Sequence, residues 1–134
     1  MKIVTIIALL LSLAMQQLGD PYVYSAMGPD SFDCSGFTKY CYMEAANIEI
    51  PRTAYDQGYC DDYLKIETIE ELKPGDLVFF NTNSDGDRCD HAGIYIGKGE
   101  FIHASSAKKE VIITPFKETY YEGAFSWGRR ILEN

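Results

Sequence analysis

The stretch "HAGIYIGKGEFIHAS", residues 91–105, has the pattern of two β-strands joined by a tight turn. Both halves are rich in apolar, β-branched and aromatic residues, and the central Gly-Lys-Gly segment suits a hairpin turn. The two histidines of the chain, His91 and His103, lie one on each predicted strand. This stretch therefore predicts an antiparallel hairpin and, with it, the relative position of two imidazoles.

The length of the turn determines whether the two histidines share a face of the sheet. A two-residue turn would place them on opposite faces, because side chains alternate along a strand. A three-residue turn would pair Ile96 with Glu100 and Gly93 with His103, so that the histidines are diagonal neighbours on one face. Gly99 suits the left-handed position and bulge of such a turn. We therefore predict the three-residue turn and two imidazoles on one face.

Outward from the hairpin, helical patterns come first and strand patterns follow. Helices are predicted over about 3–18, 34–46 and 51–58, and strands over 77–80, 91–97, 100–105, 110–116 and 125–132. This order is typical of an α+β domain, here with N-terminal helices packed against a C-terminal antiparallel sheet of about five to six strands. With no repeat or linker in its 134 residues, the chain is expected to form a single domain over 1–134.

The charge and the cysteines exclude some classes of protein. The formal net charge is −8, from 12 Lys and Arg against 20 Asp and Glu, and nucleic-acid binding calls instead for clustered basic residues. The four cysteines match neither a Cys-x-x-Cys pair nor a structural zinc framework, so no metal or cofactor is predicted. A Cys60–Cys89 disulfide is conceivable, but the sequence does not establish it.

The N-terminal stretch "IVTIIALLLSLAM", residues 3–15, has two interpretations. It is too short to span a bilayer, and with "SLA" ending at Ala14 it resembles the apolar region and cleavage site of a signal peptide. Alternatively, it is a first helix, apolar on most sides and buried against the rest of the domain. We prefer the buried helix.

Within "SFDCSGFTKYC", residues 31–41, Cys34 lies where a helix is predicted to begin, with Asp33 or Ser31 available as its cap. The positive end of a helix macrodipole favours a thiolate, and the unpaired N–H groups of the first turn can bind an oxyanion. A cysteine is more often a packed core residue, and Cys41, about two turns later, is assigned that role. Cys34 is the candidate nucleophile.

A nucleophilic thiol needs a base, and the hairpin supplies one. If both imidazoles lie on one face, His91 can act as the base while His103 holds it in the required tautomer and orientation.

Several segments in order resemble the NlpC-type (new lipoprotein C) cell-wall peptidases. They are "LGDPYVY", "FDCSGFTKYCY", "IPRTAYDQ", "LKPGDLVFF" and "DHAGIYIGKGEFIHAS", from about Leu18 to the end of the chain. The resemblance implies a papain-like α+β domain that hydrolyses peptide bonds in the stem peptides of peptidoglycan. The bond implied is the one between the γ-carboxyl of D-glutamate and a diamino acid.

The resemblance also implies roles for individual residues. The nucleophile, general base and orienting residue correspond to Cys34, His91 and His103. A tyrosine that lies beside the nucleophile and holds the oxyanion or substrate corresponds to Tyr22. Positions that line the substrate cleft correspond to Asp33, Ser35 and Arg52.

The chain departs from the family pattern near the expected cleft. Tyr24 and the pair Ser25-Ala26 stand where the family usually has a tryptophan and two glycines, which affects substrate specificity. The acidic insertion "NSDGDRC", residues 83–89, either rims the site or forms a solvated loop tip, and we prefer the tip.

Two other functions remain open on the sequence. One is a papain-like amidase that cuts between muramic acid and L-alanine, and the other is a non-catalytic peptide-binding module. The expected partner is a peptidoglycan stem peptide, met either unaided or within a larger secretion, conjugation or phage assembly. A secreted or cell-wall-associated monomer is expected.

Overall fold

The structure, a computed structural model, describes residues 2–133. Its helices are α1 (Ile3–Gln16), α2 (Cys34–Ala46), α3 (Ala54–Gly58) and α4 (Tyr120–Ala124), with a short 3₁₀ turn at Ile69–Glu71. Its strands are β1 (Leu64–Ile66), β2 (Leu77–Phe80), β3 (His91–Gly97), β4 (Glu100–Ser105), β5 (Glu110–Pro115) and β6 (Phe125–Arg130).

The strands form one six-stranded sheet in the order β1-β6-β2-β3-β4-β5, and every pairing is antiparallel. Strands β2 to β5 form a meander, and β6 returns to lie between β1 and β2. The predicted α+β class and strand number are therefore confirmed. Strand β1 and helix α4 were not predicted, because three and five residues are too few to show a period.

The central sheet is buried on both faces, which explains its near-continuous apolar sequence. One face packs against α1 and α2 through a cluster that includes Leu10, Phe37, Cys41, Leu77, Phe79, Ala92, Ile94 and Ile102. The other face carries a second cluster that includes Val78, Phe80, Tyr95, Phe101, Phe116 and Ala124. Cys41 is fully buried, as predicted, and burial raises the pKa of its thiol.

Helix α1 packs on one side only. Leu10 and Ala14 are completely buried, whereas Val4 and Leu9 are 75% and 45% exposed. The stretch is thus a helix that is buried on one side and leaves an apolar flank in solvent, and the choice between a structural helix and a signal peptide stays a prediction. Among residues 2–133, no helix is long and apolar enough to cross a membrane.

The hairpin turn differs from the predicted one. Lys98 and Gly99 form a two-residue turn, both with positive φ, and Gly97 pairs with Glu100. A bulge at Ile96 adds the extra residue within β3 instead. Because one residue is inserted in either case, the strands recover the predicted register with Ile94 opposite Ile102.

Side-chain caps fix the starts of α2 and α3. The Asp33 carboxylate accepts a hydrogen bond from the Gly36 N–H at 2.7 Å, so Asp33 is the cap of α2 and Ser31 is not. Thr53 caps α3 through the Asp56 N–H at 3.1 Å, so this helix begins after Thr53 and not at position 51 as predicted.

Candidate active site

Cys34 is the first residue of α2, and its thiol lies among backbone N–H groups. Those of Cys34, Ser35 and Ala92 all lower the pKa of the thiol, and Ala92 directly follows His91 in the chain. Burial is the stronger effect, so the net shift of the Cys34 pKa is upward. The N–H groups at the helix start do favour the thiolate, as expected, but desolvation outweighs them in the resting protein.

The start of α2 is also pressed against the loop that carries Tyr22 and Tyr24. The Asp33 N–H donates to the Ala26 carbonyl at 2.9 Å. A Cβ atom at Gly36 would clash with that same carbonyl oxygen, so only glycine fits there. This close approach holds the loop and the cysteine at a fixed separation.

The two histidines lie together, as the hairpin parity predicted. His91 Nε2 is 2.7 Å from His103 Nδ1, and the ring planes are nearly perpendicular at 80°. His103 is completely buried, while His91 is partly buried at the start of β3. Because Nε2 of His91 is engaged by His103, Nδ1 is the nitrogen left to receive a proton from a thiol.

Electrostatics keep both rings neutral near pH 7. Burial lowers the pKa of His91 below its ordinary value of 6.5, and the nearby Asp90 carboxylate only partly opposes this. Burial and then the neighbouring His91 lower the pKa of His103. With the pKa of the Cys34 thiol raised and those of both histidines lowered, the thiol and the two imidazoles are neutral in the resting protein.

A cleft of about 270 Å³ opens over Cys34. Its walls are formed by Tyr22, Tyr24, Asp33, Cys34, Ser35, Thr53, Ala54, Tyr55, Asp87, Cys89 and Asp90. The structure therefore brings four of the expected residues into one cleft: Tyr22, Asp33, Cys34 and Ser35. His91 directly follows Asp90 in the chain, and neither histidine is part of the cleft wall.

Arg52 lies behind this wall and binds two of its members. Its guanidinium donates to both carboxylate oxygens of Asp33, at 3.2 and 2.8 Å, and to the Ser35 hydroxyl at 3.0 Å. The hydrogen bond to Asp33 raises the pKa of Arg52 further, so the guanidinium keeps its charge. Arg52 itself lines a neighbouring open groove with Lys39 and Tyr63, and so joins the two depressions.

The insertion at 83–89 rims the cleft through its C-terminal end. Asp87 and Cys89 line the cavity, while Ser84, Asp85 and Gly86 are exposed. The preferred interpretation as a solvated tip therefore holds for most of the loop and is wrong only at Asp87 and Cys89. Cys89 is completely buried, its pKa is raised to about 12 by burial, and all four cysteines are free thiols.

Two residues beside the histidines were missed by sequence analysis. The Thr114 hydroxyl lies 2.9 Å from His103 Nε2, and the Tyr121 ring lies 5.2 Å from the His103 ring. A threonine in a strand is ordinary, so no signal marked Thr114 beyond its place in the neighbouring strand. Tyr121 belongs to the short helix α4, which the sequence did not predict.

Metal ligands are not gathered anywhere in residues 2–133. No group of three or more His, Cys, Asp or Glu side chains in this part of the chain could hold a metal ion. The chemistry available at the cleft is that of a thiol, two imidazoles and backbone N–H groups.

The sheet, the helix that begins at a cysteine and the adjoining histidine pair together define a papain-like α+β domain. The chain matches the NlpC/P60 family over residues 19–130, and it belongs to that family.

Three relatives illustrate the match. Murein DD-endopeptidase MepH of Escherichia coli strain K12 is 41% identical over 119 residues, which are 88% of this chain and 43% of MepH. Murein DD-endopeptidase MepS/Murein LD-carboxypeptidase of the same strain is 38% identical over 100 residues, 75% of this chain and 50% of MepS. The structure of NlpC2 from Trichomonas vaginalis superposes with a TM-score of 0.83 at 35% identity, covering 93% of this chain and 46% of NlpC2. The chain spans half or less of the length of each of these relatives.

Proposed function

We propose that this protein is a cysteine endopeptidase that hydrolyses amide bonds in peptidoglycan stem peptides. The observation that carries the proposal is the position of the Cys34 thiol. It lies at the start of α2 against the N–H of Ala92, the residue that follows His91 in the chain, and the His91 ring is hydrogen-bonded to that of His103. The relatives named murein endopeptidases support the same activity and the same substrate.

The mechanism follows from the neutral resting state. His91 Nδ1 takes the proton of Cys34 as the sulfur attacks the amide carbonyl, so that charge develops only during the reaction. The N–H groups of Cys34, Ser35 and Ala92 are available to bind the oxyanion, and Tyr22 stands beside them in the cleft. The His91 imidazolium then protonates the leaving amine, and water releases the acyl group from sulfur.

Substrate binding is assigned to the rest of the cleft wall. Asp33 and Ser35 face the cleft, and the Arg52 guanidinium behind the wall holds both of them in place by hydrogen bonds. Tyr24 and Tyr55, which stand on the same walls and are 84% and 51% exposed, supply apolar contact area.

Two bonds are candidates for the cleavage. The family resemblance implies the bond from the D-glutamate γ-carboxyl to a diamino acid. The names of MepH and MepS instead point to a bond between two D-configured centres. Either bond is an amide within or between stem peptides, and we propose accordingly that the protein acts at the cell wall, secreted or wall-associated.

Digestion of defined muropeptides tests the proposal. Wild type, Cys34→Ala and the matched control Cys60→Ala are incubated with linear and cross-linked muropeptides, and products are read by mass spectrometry. We expect split peptides from wild type and Cys60→Ala, and loss of activity in Cys34→Ala by several orders of magnitude. Undiminished activity in Cys34→Ala would refute the cysteine mechanism.

The masses also decide among the other functions. Release of intact stem peptides from muramic acid would indicate the amidase. Binding without any cleavage by the wild type would indicate the non-catalytic module.

A further inference from the structure

We propose that Thr114 is a positioning residue of the catalytic site. Its hydroxyl oxygen accepts a hydrogen bond from His103 Nε2–H, and this contact holds both imidazoles in the tautomers that leave His91 Nδ1 free to accept the Cys34 proton. The inference rests on the proposed function and extends it by one member beyond the histidine pair.

The sheet register brings Thr114 to this position. His103 on β4 pairs with Ile112 on β5, and Thr114 follows two residues later on the same face. The resulting diagonal places the Thr114 Oγ1 atom 2.9 Å from His103 Nε2. Together with the 2.7 Å contact between His103 Nδ1 and His91 Nε2, this makes a continuous chain of three side chains on three strands.

The two hydrogen bonds that link His91, His103 and Thr114 can be donated in one of two directions. In the productive direction, His91 Nε2–H donates to His103 Nδ1, and His103 Nε2–H then donates to Thr114. In the opposite direction, the Thr114 hydroxyl donates to His103 Nε2, and His103 Nδ1–H donates to His91 Nε2. That second arrangement leaves the neutral His91 proton on Nδ1, where it blocks acceptance of the thiol proton.

The productive direction depends on an acceptor for His103 Nε2–H. His103 is completely buried, with the rings of Phe101 and Tyr121 at 4.5 and 5.2 Å, so water does not substitute for Thr114. Among the described residues, no buried side-chain nitrogen or oxygen lacks a hydrogen-bond partner. Without the hydroxyl, the productive tautomer would bury an unpaired N–H, whereas the blocked tautomer would leave only an unpaired lone pair.

Kinetics on a defined muropeptide give the first test. We expect Thr114→Val, which is nearly isosteric, to lower kcat on the order of ten- to a hundredfold with KM little changed. Thr114→Ser keeps the hydroxyl and should retain most of the activity. Ile113→Val, on the same strand but facing the other side of the sheet, is the matched control and should behave as wild type.

Nitrogen-15 NMR of the two histidines gives a second test that needs no turnover. We expect wild type and Thr114→Ser to show His91 protonated on Nε2, and Thr114→Val to shift the proton to Nδ1. Wild-type kinetics together with an unchanged tautomer in folded Thr114→Val would overturn the inference. A wild type that lacks activity on every muropeptide would instead refute the proposed function, while the tautomer measurement would still decide the role of Thr114.

Discussion

The residues of the candidate site owe their protonation states to burial more than to their charged neighbours. The first N–H groups of α2 lower the pKa of the Cys34 thiol, yet desolvation raises it by more. His91 faces the Asp90 carboxylate, yet its pKa is still lowered. A neutral Cys34 thiol and a neutral His91 imidazole avoid two buried charges in the resting protein. The thiol proton then has to move only when substrate fills the cleft.

The buried histidines make stability depend on pH. Both have a pKa below the ordinary 6.5 in the folded protein, so between neutrality and acid the unfolded chain binds protons that the folded chain does not. The free energy of unfolding should therefore be fully present above about pH 6.5 and fall as pH decreases below it. Each histidine contributes up to about 1.4 kcal/mol per pH unit.

Urea unfolding at pH 7.5, 6.5 and 5.5 measures this slope. In His103→Gln one of the two histidines is gone, so the loss of stability between pH 6.5 and 5.5 should be about half that of wild type. Equal slopes in the two proteins would show that His103 takes up its proton without unfolding.

At the scale of elements, the β3–β4 hairpin carries the geometry of the site. Its turn forces Lys98 to φ 54°, in the left-handed region that side-chain-bearing residues enter at a cost. Asparagine is favoured at the first position of such a two-residue turn. With lysine at this position, the turn is therefore less stable than it would be with asparagine.

Replacing Lys98 by asparagine should stabilise the protein by about 0.5–1 kcal/mol without changing activity. Lys117→Asn, at another exposed lysine whose φ is not left-handed, is the control and should leave stability nearly unchanged. Denaturant midpoints of the three proteins provide the comparison. A destabilised Lys98→Asn would mean that the lysine side chain makes a favourable contact at the turn.

The elements that sequence analysis located best are those with long, strongly patterned runs. Helix α2 and strands β2, β3 and β4 lie where they were predicted, because a capping residue marks the start of α2 and turn residues bound the short apolar runs of the strands. The predicted length of the turn was wrong. A bulge inside a strand and an extra residue in the turn shift the register by the same amount, so the sequence pattern does not distinguish them. The site was outlined by its cysteine and histidines, but Thr114 and Tyr121 owe their positions to strand order and to a helix too short to predict.

For the molecule as a whole, α1 tests how far the N-terminal stretch belongs to the domain. Leu10 is completely buried in the cluster that also contains Phe37 and Leu77, whereas its neighbour Leu9 is 45% exposed. Both residues are leucines of the same helix and differ in burial, so substitutions at the two positions can be compared directly. We propose that α1 is an integral part of the folded domain.

Leu10→Ala should then lower the free energy of unfolding by about 2–5 kcal/mol, because it leaves a cavity between α1 and the sheet. Leu9→Ala should change it by less than about 0.5 kcal/mol. Thermal or urea unfolding of both variants provides the measurement. Similar, small losses in both would indicate that α1 is not part of the cooperative unit.

The bulge at Ile96 has a consequence for how this chain can change in length. Because alternation has a period of two, inserting or deleting one residue between His91 and His103 would turn one imidazole away from the other. Only an insertion or deletion of two residues, or one insertion offset by one deletion, keeps both imidazoles and Thr114 on the same face of the sheet. The exposed loop tip at 84–86 has no such parity to preserve. Variation in length should therefore accumulate before β3 and be nearly forbidden within the hairpin, even though both segments lie beside the same cleft.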